Sequence, residues 1–390
     1  MSETAGGAHQ SDAIQGCRRI RRDVGPKTHT IVPMLEPQSS DSSALEVPSL
    51  SVVVCTYNRV SLLRRCLGAL AQQTMCDQVQ IIVVDDGSAQ DTGSVVSDYR
   101  VDFVSLGTNQ GLSAARNAGV ARARAPIVAF TDDDVIVPPD WCESVLHAWS
   151  RAPANTHAIG GSVSVLQIQS LTQRFLSQHN PLTPIEADVT QATTFLRRLR
   201  AYLKHGSEQS DAVRPVFSLV GANMSFNRDS LSAINGFDPT IRFGGDEEYA
   251  CVEMRRVFGP QSILFDPSIS VAHDFDPRLG DTLRRSFQYG ISNGRSWARH
   301  GGIPGLRPIG GLVTVTLLVG TPFSIVGAFV VAGLIPFVMW RRWIRESLTR
   351  RNPEVLSYPL IALAQELWAN VGFVVGWRRE LQVHRERRGR

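Results

Sequence analysis

The sequence predicts an α/β fold: a parallel, Rossmann-like central sheet flanked by helices, followed by C-terminal membrane helices. Three observations carry this expectation. Between residues 50 and 135, short β-branched runs alternate with amphipathic stretches in the order strand, helix, strand, strand, helix, strand. The last of these strands, Ile127 to Phe130, leads through Thr131 into Asp132-Asp133-Asp134. Further on, the 32 residues from Ile309 to Trp340 carry no charged side chain. That run exceeds the roughly 20 apolar residues a bilayer span requires.

The elements follow in order. Residues 1–48 are rich in Ser, Gly, Pro and charge, a composition expected to be disordered, and they lack the apolar core of a secretory signal. A globular body is expected over 49–300. Ser51 to Cys55 is a buried strand. Ser61 fits a helix N-cap, with Leu62, Cys66, Leu67 and Leu70 on one face. Gln80 to Val84 and Val101 to Leu106 are further strands. Leu112 to Arg124 is a helix whose Ala114, Ala115, Ala118 and Gly119 permit close packing. After the Asp triplet, Pro138-Pro139-Asp140 starts a helix through Trp149, and Ile159 to Leu166 is a strand. A helix is expected near Phe195 to Leu203 and a strand over Phe217 to Met224. Helices follow at Asp246 to Phe258 and Asp281 to Arg299.

The remainder, 301–390, reads as a membrane-associated region with hydrophobic segments 309–340 and 355–377 and a basic tail. Gly320 and Pro322 interrupt the first segment, which favours a re-entrant hairpin. Arginines follow both segments, and the positive-inside rule keeps those flanks cytoplasmic. From Arg341 to Arg390 there are 11 Arg and 5 Glu, a net +6, so the first 340 residues carry −2 of the total +4. Such a tail suits anionic membrane lipids. Nucleic acid is not an expected partner, because basic and aromatic residues do not interleave in the body. The six cysteines show no CxxC spacing and read as reduced thiols without structural zinc.

Three adjacent carboxylates at a strand end repel one another. A hard divalent cation such as Mg2+ or Mn2+ removes that cost and bridges to phosphate oxygens. The simpler alternative is a solvated acidic turn. Asp85 and Asp86 end the second strand on the same sheet edge, and Gly87 lets the chain turn. A carboxylate there either binds a base or ribose or closes an Asx turn.

Taken together, these segments resemble the family 2 glycosyltransferases of GT-A fold. The matching stretches are Val54-Cys55-Thr56-Tyr57-Asn58-Arg59, Val84-Asp85-Asp86-Gly87-Ser88, Asn109 to Asn117, and Phe130 to Val135. The resemblance spans about residues 50–300. It implies that Thr56, Tyr57 and Arg59 line a nucleoside pocket and that Asp85, beside Asp86, binds the base. It further implies that Asp132 and Asp134 meet ribose and metal around Asp133, and that Arg116 approaches the same edge. Gly221 to Phe226 and Ile234 to Asp238 resemble the acceptor side. Gly244-Gly245-Asp246-Glu247-Glu248-Tyr249 resembles the motif holding the catalytic base. Asp246 is the expected base, with Glu247 or Glu248 as substitutes. His273 lies where some relatives place a metal ligand.

The implied reaction is a metal-dependent, inverting transfer from a nucleotide-diphosphate sugar to a hydroxyl of a lipid-linked or membrane-proximal glycan. The implied place is the cytoplasmic membrane, with the catalytic domain facing the cytoplasm. Processive relatives share a QxxRW motif; Gln288 and Arg295-Ser296-Trp297 are present at another spacing. That spacing counts against chain extrusion, so a processive polysaccharide synthase is kept as the first alternative, and a catalytically silent nucleotide-sugar-binding membrane protein as the second.

Overall fold

A computed structural model describes residues 47–186, 194–205, 212–242, 244–300 and 306–388. The expected disorder of 1–48 falls almost wholly outside them. Among these residues the strands are β1 (Leu50–Thr56), β2 (Val79–Asp85), β3 (Asp102–Ser105), β4 (Ile127–Asp132), β5 (Val135–Ile136), β6 (Ala158–Val165), β7 (Ile185–Glu186), β8 (Arg214–Ser218), β9 (Met224–Asn227) and β10 (Ile263–His273). Helices α1 (Val60–Leu70), α2 (Thr92–Val96), α3 (Leu112–Arg122), α4 (Trp141–Arg151), α5 (Leu171–Gln178), α6 (Phe195–His205), α7 (Arg228–Ala233) and α8 (Asp246–Phe258) surround them.

The strand order is β3-β2-β1-β4-β9-β6-β10-β8-β7. The first four are parallel, as the sequence predicts for a β/α alternation. β1 and β2 are buried on both faces because helices cover each side of their β-branched runs. Beyond β4 the sheet becomes mixed. β9 inserts antiparallel between β4 and β6, and β10 runs parallel to β6.

One apolar cluster lies between the sheet and α1 and α4, including Leu63, Leu67, Trp141 and Val145. The opposite cluster joins α3, α7 and α8 through Ala115, Leu231, Met254 and three edge-to-face rings, Phe130, Phe226 and Phe237. Close packing of α3 holds: a Cβ on Gly119 would meet Val53 Cγ1 at 2.4 Å.

Two local expectations are corrected. Helix α1 is capped by Arg59, not Ser61, and buries Leu63 rather than Leu62. The cause is a turn at Asn58 (φ 56°), whose side chain accepts from the Ala89 amide while Gln90 accepts from the Val60 amide. The strand expected over Phe217 to Met224 is two strands, β8 and β9. The chain leaves one sheet position at Ser218 and re-enters another at Met224.

The C-terminal part comprises α9 (Leu279–His300), α10 (Pro308–Gly320), α11 (Ile325–Met339), α12 (Arg341–Arg350) and α13 (Tyr358–Arg388). Helices α9 and α13 cross through interlocked glycines. A Cβ on Gly294 would lie 2.0 Å from the Phe373 carbonyl oxygen, and one on Gly376 would lie 2.0 Å from that of Ile291. Backbone cannot yield as a side-chain tip can. Gly376→Val is therefore expected to destabilise the α9–α13 packing by about 1–3 kcal/mol, as overpacking does. Urea unfolding of the two proteins measures it.

The uncharged run divides at residues 321–324 into α10 and α11, of 13 and 15 residues. At about 1.5 Å per residue neither reaches the roughly 30 Å of a hydrocarbon core. Phe323 at the turn is 88% exposed, and Leu318 and Val326 are exposed as well. Helix α12 leaves α11 at 67°. Among the described residues, Pro353–Gln382 is the one unbroken helix long and apolar enough to cross a bilayer. Its Glu366 accepts from the Gly310 amide at 2.6 Å and the Tyr202 hydroxyl at 2.7 Å.

Candidate active site

Register brings the sequence motifs to one edge. Cys55 pairs with Asp132 and Thr56 with Asp85, so the carboxyl ends of β1, β2 and β4 lie side by side, where open α/β sheets bind ligands. The turn after β4 leads into β5, which pairs antiparallel with the end of β10, Val135 opposite His273. The Asp274 amide also donates to the Asp134 carbonyl at 2.9 Å. A histidine 139 residues from the Asp triplet is thereby delivered to it.

His273 Nε2 lies 3.2 Å from Asp134 Oδ1. Ligand atoms of Asp132, Asp134 and His273 all fall within 4.8 Å of one another. Asp134 Oδ1 and His273 Nδ1 are buried without a satisfactory hydrogen-bond partner among the described residues. Two carboxylates and an imidazole with unsatisfied buried atoms are a donor set that suits a divalent cation such as Mn2+ or Mg2+. Burial pushes the Asp134 carboxyl up, but His273, Arg59 and Arg285 outweigh it and hold the group below the usual carboxylate range. Asp134 is thus the anion of the set. Asp132 is raised, because burial and the Asp134 charge exceed the attraction of Arg116.

Several of the expected substrate-binding residues also carry structural hydrogen bonds. Asp133 is 4% exposed and turns inward, accepting from the Thr56 hydroxyl at 2.8 Å and from Arg59 at 3.1 Å. Burial, partly opposed by Arg59, raises it to about 6. Thr56, with its hydroxyl committed to Asp133, is likewise buried. Asp86 accepts from Asn109 Nδ2, the Gln110 amide and the Gly111 amide at 3.0, 2.7 and 2.9 Å, which fixes the loop entering α3. Asp85 accepts from the Ser88 amide and the Thr92 hydroxyl, the Asx turn that the sequence left open. Tyr57 is 46% exposed, and Arg59, partly exposed, bridges Asp133 and Asp134.

A second cluster faces the first. Gly244 and Gly245 both take left-handed φ (68° and 82°), a turn other residues rarely adopt, and so aim the start of α8 at the edge. Arg116, 3% exposed, reaches Asp246 Oδ2 at 2.5 Å, Glu247 Oε2 at 3.5 Å and Asp132 Oδ1 at 3.6 Å. Its guanidinium sits over the Phe237 ring and occupies the space that a side chain at Gly221 would fill. Asp246, the expected base, is 0% exposed; its Oδ2 is held by Arg116, and its Oδ1 has no hydrogen-bond partner among the described residues. Glu247, the next residue on α8, keeps a side chain 19% exposed. Burial, then the charge of Asp246, raise its pKa to about 8. Glu248 in the same turn is partly buried and raised by burial.

Arg285, on α9, was not singled out by sequence; it lies 3.7 Å from Asp134 Oδ2. Tyr289, one turn on, packs against Gly244. The only sequence signal for them is their shared face on an amphipathic helix.

The family model for glycosyl transferase family 2 matches residues 51–230. The chain carries a family 2 glycosyltransferase domain. This domain contains both halves of the parallel edge, the Asp triplet and the β9 strand, while α8, His273 and α9 lie beyond the matched span. The chain is similar to validoxylamine A glucosyltransferase of Streptomyces hygroscopicus subsp. limoneus, 41% identical over 138 residues, covering 33% of this chain and 30% of that protein. It is also similar to glucosyl-dolichyl phosphate glucuronosyltransferase of Haloferax volcanii, 24% identical over 62% of this chain and 75% of the relative. Against three of its curated relatives the chain spans only 27–30% of their length. A solved mannosyltransferase from Pyrobaculum calidifontis, in complex with GDP-Man and Mn2+, shares the fold. Its TM-score is 0.50 at 18% identity, over 87% of this chain and 90% of that one. The glycosyltransferase domain is therefore GT-A in architecture, with a mixed rather than wholly parallel sheet.

Proposed function

We propose that this chain transfers a sugar from a nucleotide-diphosphate sugar to a hydroxyl of a lipid-linked or membrane-proximal glycan, with inversion at the anomeric carbon. The observation that carries this reading is the facing of Asp132, Asp134 and His273 by Glu247 across Arg116. Residues 49–300 are the catalytic part in this reading, and 301–390 the membrane-associated part.

Tyr57, Arg59 and Asp85 frame the nucleoside side. A divalent cation held by Asp132, Asp134 and His273 would supply Lewis-acid stabilisation of the departing diphosphate. Arg285 places a further positive charge at the same carboxylates. Glu247 accepts the proton of the attacking hydroxyl. Asp246 neutralises Arg116 and orients it between the two clusters. One displacement with one base inverts the centre, and no covalent nucleophile is needed. The similarity to the Haloferax glucosyl-dolichyl phosphate glucuronosyltransferase supports a lipid-linked acceptor.

The base sets the pH dependence. Below about pH 8 the Glu247 carboxyl holds its proton and cannot accept another. The acceptor kcat/KM is expected to rise about tenfold per pH unit up to that point and level above it. Measured pH–rate profiles of wild type and Glu247→Gln check this; the variant profile should lose that limb.

For the C-terminal part we propose that the α10–α11 hairpin enters the cytoplasmic leaflet and returns, with the catalytic domain facing the cytoplasm. Exposed apolar residues at its tip support this. A Phe323→Asp/Val326→Asp variant is expected to move largely from the membrane pellet to the supernatant. Fractionation with an alkaline wash reads it.

The reaction itself is tested by nucleotide release from a panel of UDP-, GDP- and TDP-sugars. Release from one donor supports the reading and names the donor; no release from any, with or without membranes, counts against it.

A further inference from the structure

A cleft of about 200 Å³ lies between α9 and the loop ahead of α8, lined by Thr240, Arg242, Gln288, Ser292, Arg295 and Arg299 among others. The donor chemistry makes no use of it. Among the described residues lining it there are three arginines and no Asp or Glu. Arg299 is neutralised from outside by Glu380 of α13, at 2.7 and 3.0 Å. Arg242 is held by neutral oxygens, the Asn109 carbonyl and side-chain amide, at 2.8 and 2.7 Å. Arg295 Nε is shielded from solvent and has no hydrogen-bond partner among the described residues. Two guanidinium groups without a facing carboxylate thus share one cleft. Arg242 is open to solvent, whereas the shielded, unpartnered Arg295 Nε is costly, and an anion with several oxygens relieves it.

We propose that this cleft binds the phosphate of the acceptor, and that the acceptor is a lipid phosphate carrying the accepting sugar. Its position fits. Ser292, on the cleft wall, packs against Gly245, two residues before Glu247. Along α9, at about 1.5 Å per residue, Arg295 lies about 4.5 Å beyond Ser292 and Arg299 about 10 Å beyond. The cleft thus adjoins the turn that carries Glu247. The membrane side also fits. Helix α9 is backed along its glycine face by α13, which carries the apolar segment 355–377. A phosphate arriving from the lipid surface therefore meets this cleft beside the apolar helix, which favours a lipid source over a soluble one. Naming the bound group as the acceptor rests on the transferase reading; the anion site does not.

The test uses the full chain in detergent with EDTA, so that no donor or metal is needed. Binding of farnesyl phosphate, farnesol and inorganic phosphate is measured by calorimetry. Farnesyl phosphate is expected to bind at least about tenfold more tightly than either of the others. Arg295→Gln should weaken it about tenfold, Arg295→Lys should recover most of that loss, and Arg242→Gln should weaken it severalfold. Melting curves establish that Arg295→Gln is folded; if it is not, the exposed Arg242→Gln decides. Equal binding of inorganic phosphate would overturn the lipid source. Farnesol binding as tightly as farnesyl phosphate, or arginine variants that bind like wild type, would overturn the anion site. Failure of the donor panel would instead sink the transferase reading and leave the anion site standing.

Discussion

Asp134→Ala is expected to reduce turnover by roughly 10³-fold or more. The magnitude follows from the several kcal/mol that a Lewis acid contributes to a developing charge, at about 1.4 kcal/mol per decade. Asp134 is the residue to change because it is the ligand held ionised, and its Oδ1 is buried without a satisfactory partner among the described residues. The variant also leaves Arg59, Arg285 and His273 facing one another with less negative charge between them. Metal-dependent nucleotide binding should vanish along with turnover. Calorimetry with Mn2+ and the released nucleotide measures both. Turnover within threefold of wild type would remove Asp134 from the site.

Glu247→Gln and Asp246→Asn are expected to fail for different reasons. Glu247→Gln removes the proton acceptor and should lower kcat by about 10²–10⁴-fold. Nucleotide binding and stability should change little, because the side chain is partly exposed and its contact with Arg116 is at 3.5 Å. Asp246→Asn removes the charge that offsets a fully buried guanidinium. Breaking one partner of a buried ion pair costs about 3–5 kcal/mol, so this variant should lose stability first. Denaturant melts beside single-turnover rates separate the two. A stable, inactive Asp246→Asn with an active Glu247→Gln would return the base to Asp246.

That pair shows where sequence reasoning reached its limit. The acidic cluster after Gly244-Gly245 was legible as an acceptor-side motif. Which of its carboxylates stays partly open to solvent was not, since consecutive helical residues point about 100° apart and the helical phase is set by packing. Here Arg116, 130 residues away in sequence, takes Asp246 inward and leaves Glu247 outward. The Asp triplet divides in the same way: Asp133 faces Thr56 and Arg59, while Asp132 and Asp134 face the edge.

The parallel half of the sheet was readable because β1, β2 and β4 are β-branched runs buried on both faces, and a turn and a helix follow β1 and β2. The antiparallel half was not. β9 is four residues long, and nothing local announces that it inserts beside β4 rather than continuing β8. The reach of His273 to Asp134 depends on a two-residue strand, β5, whose pairing with β10 no periodicity reports. In the C-terminal part, the break at Gly320 and Pro322 was visible as composition. The glycine contacts of α9 with α13 were not, because they join residues about 80 positions apart.

The central claim is that a divalent cation and this acidic edge together release nucleotide from a sugar donor. Its most direct measurement is nucleotide release by the full-length protein across the donor panel, with Mn2+, with Mg2+ and with EDTA. Release from one donor with either metal, lost on chelation and restored by adding the metal back, is the predicted result. Release unchanged by EDTA would contradict it.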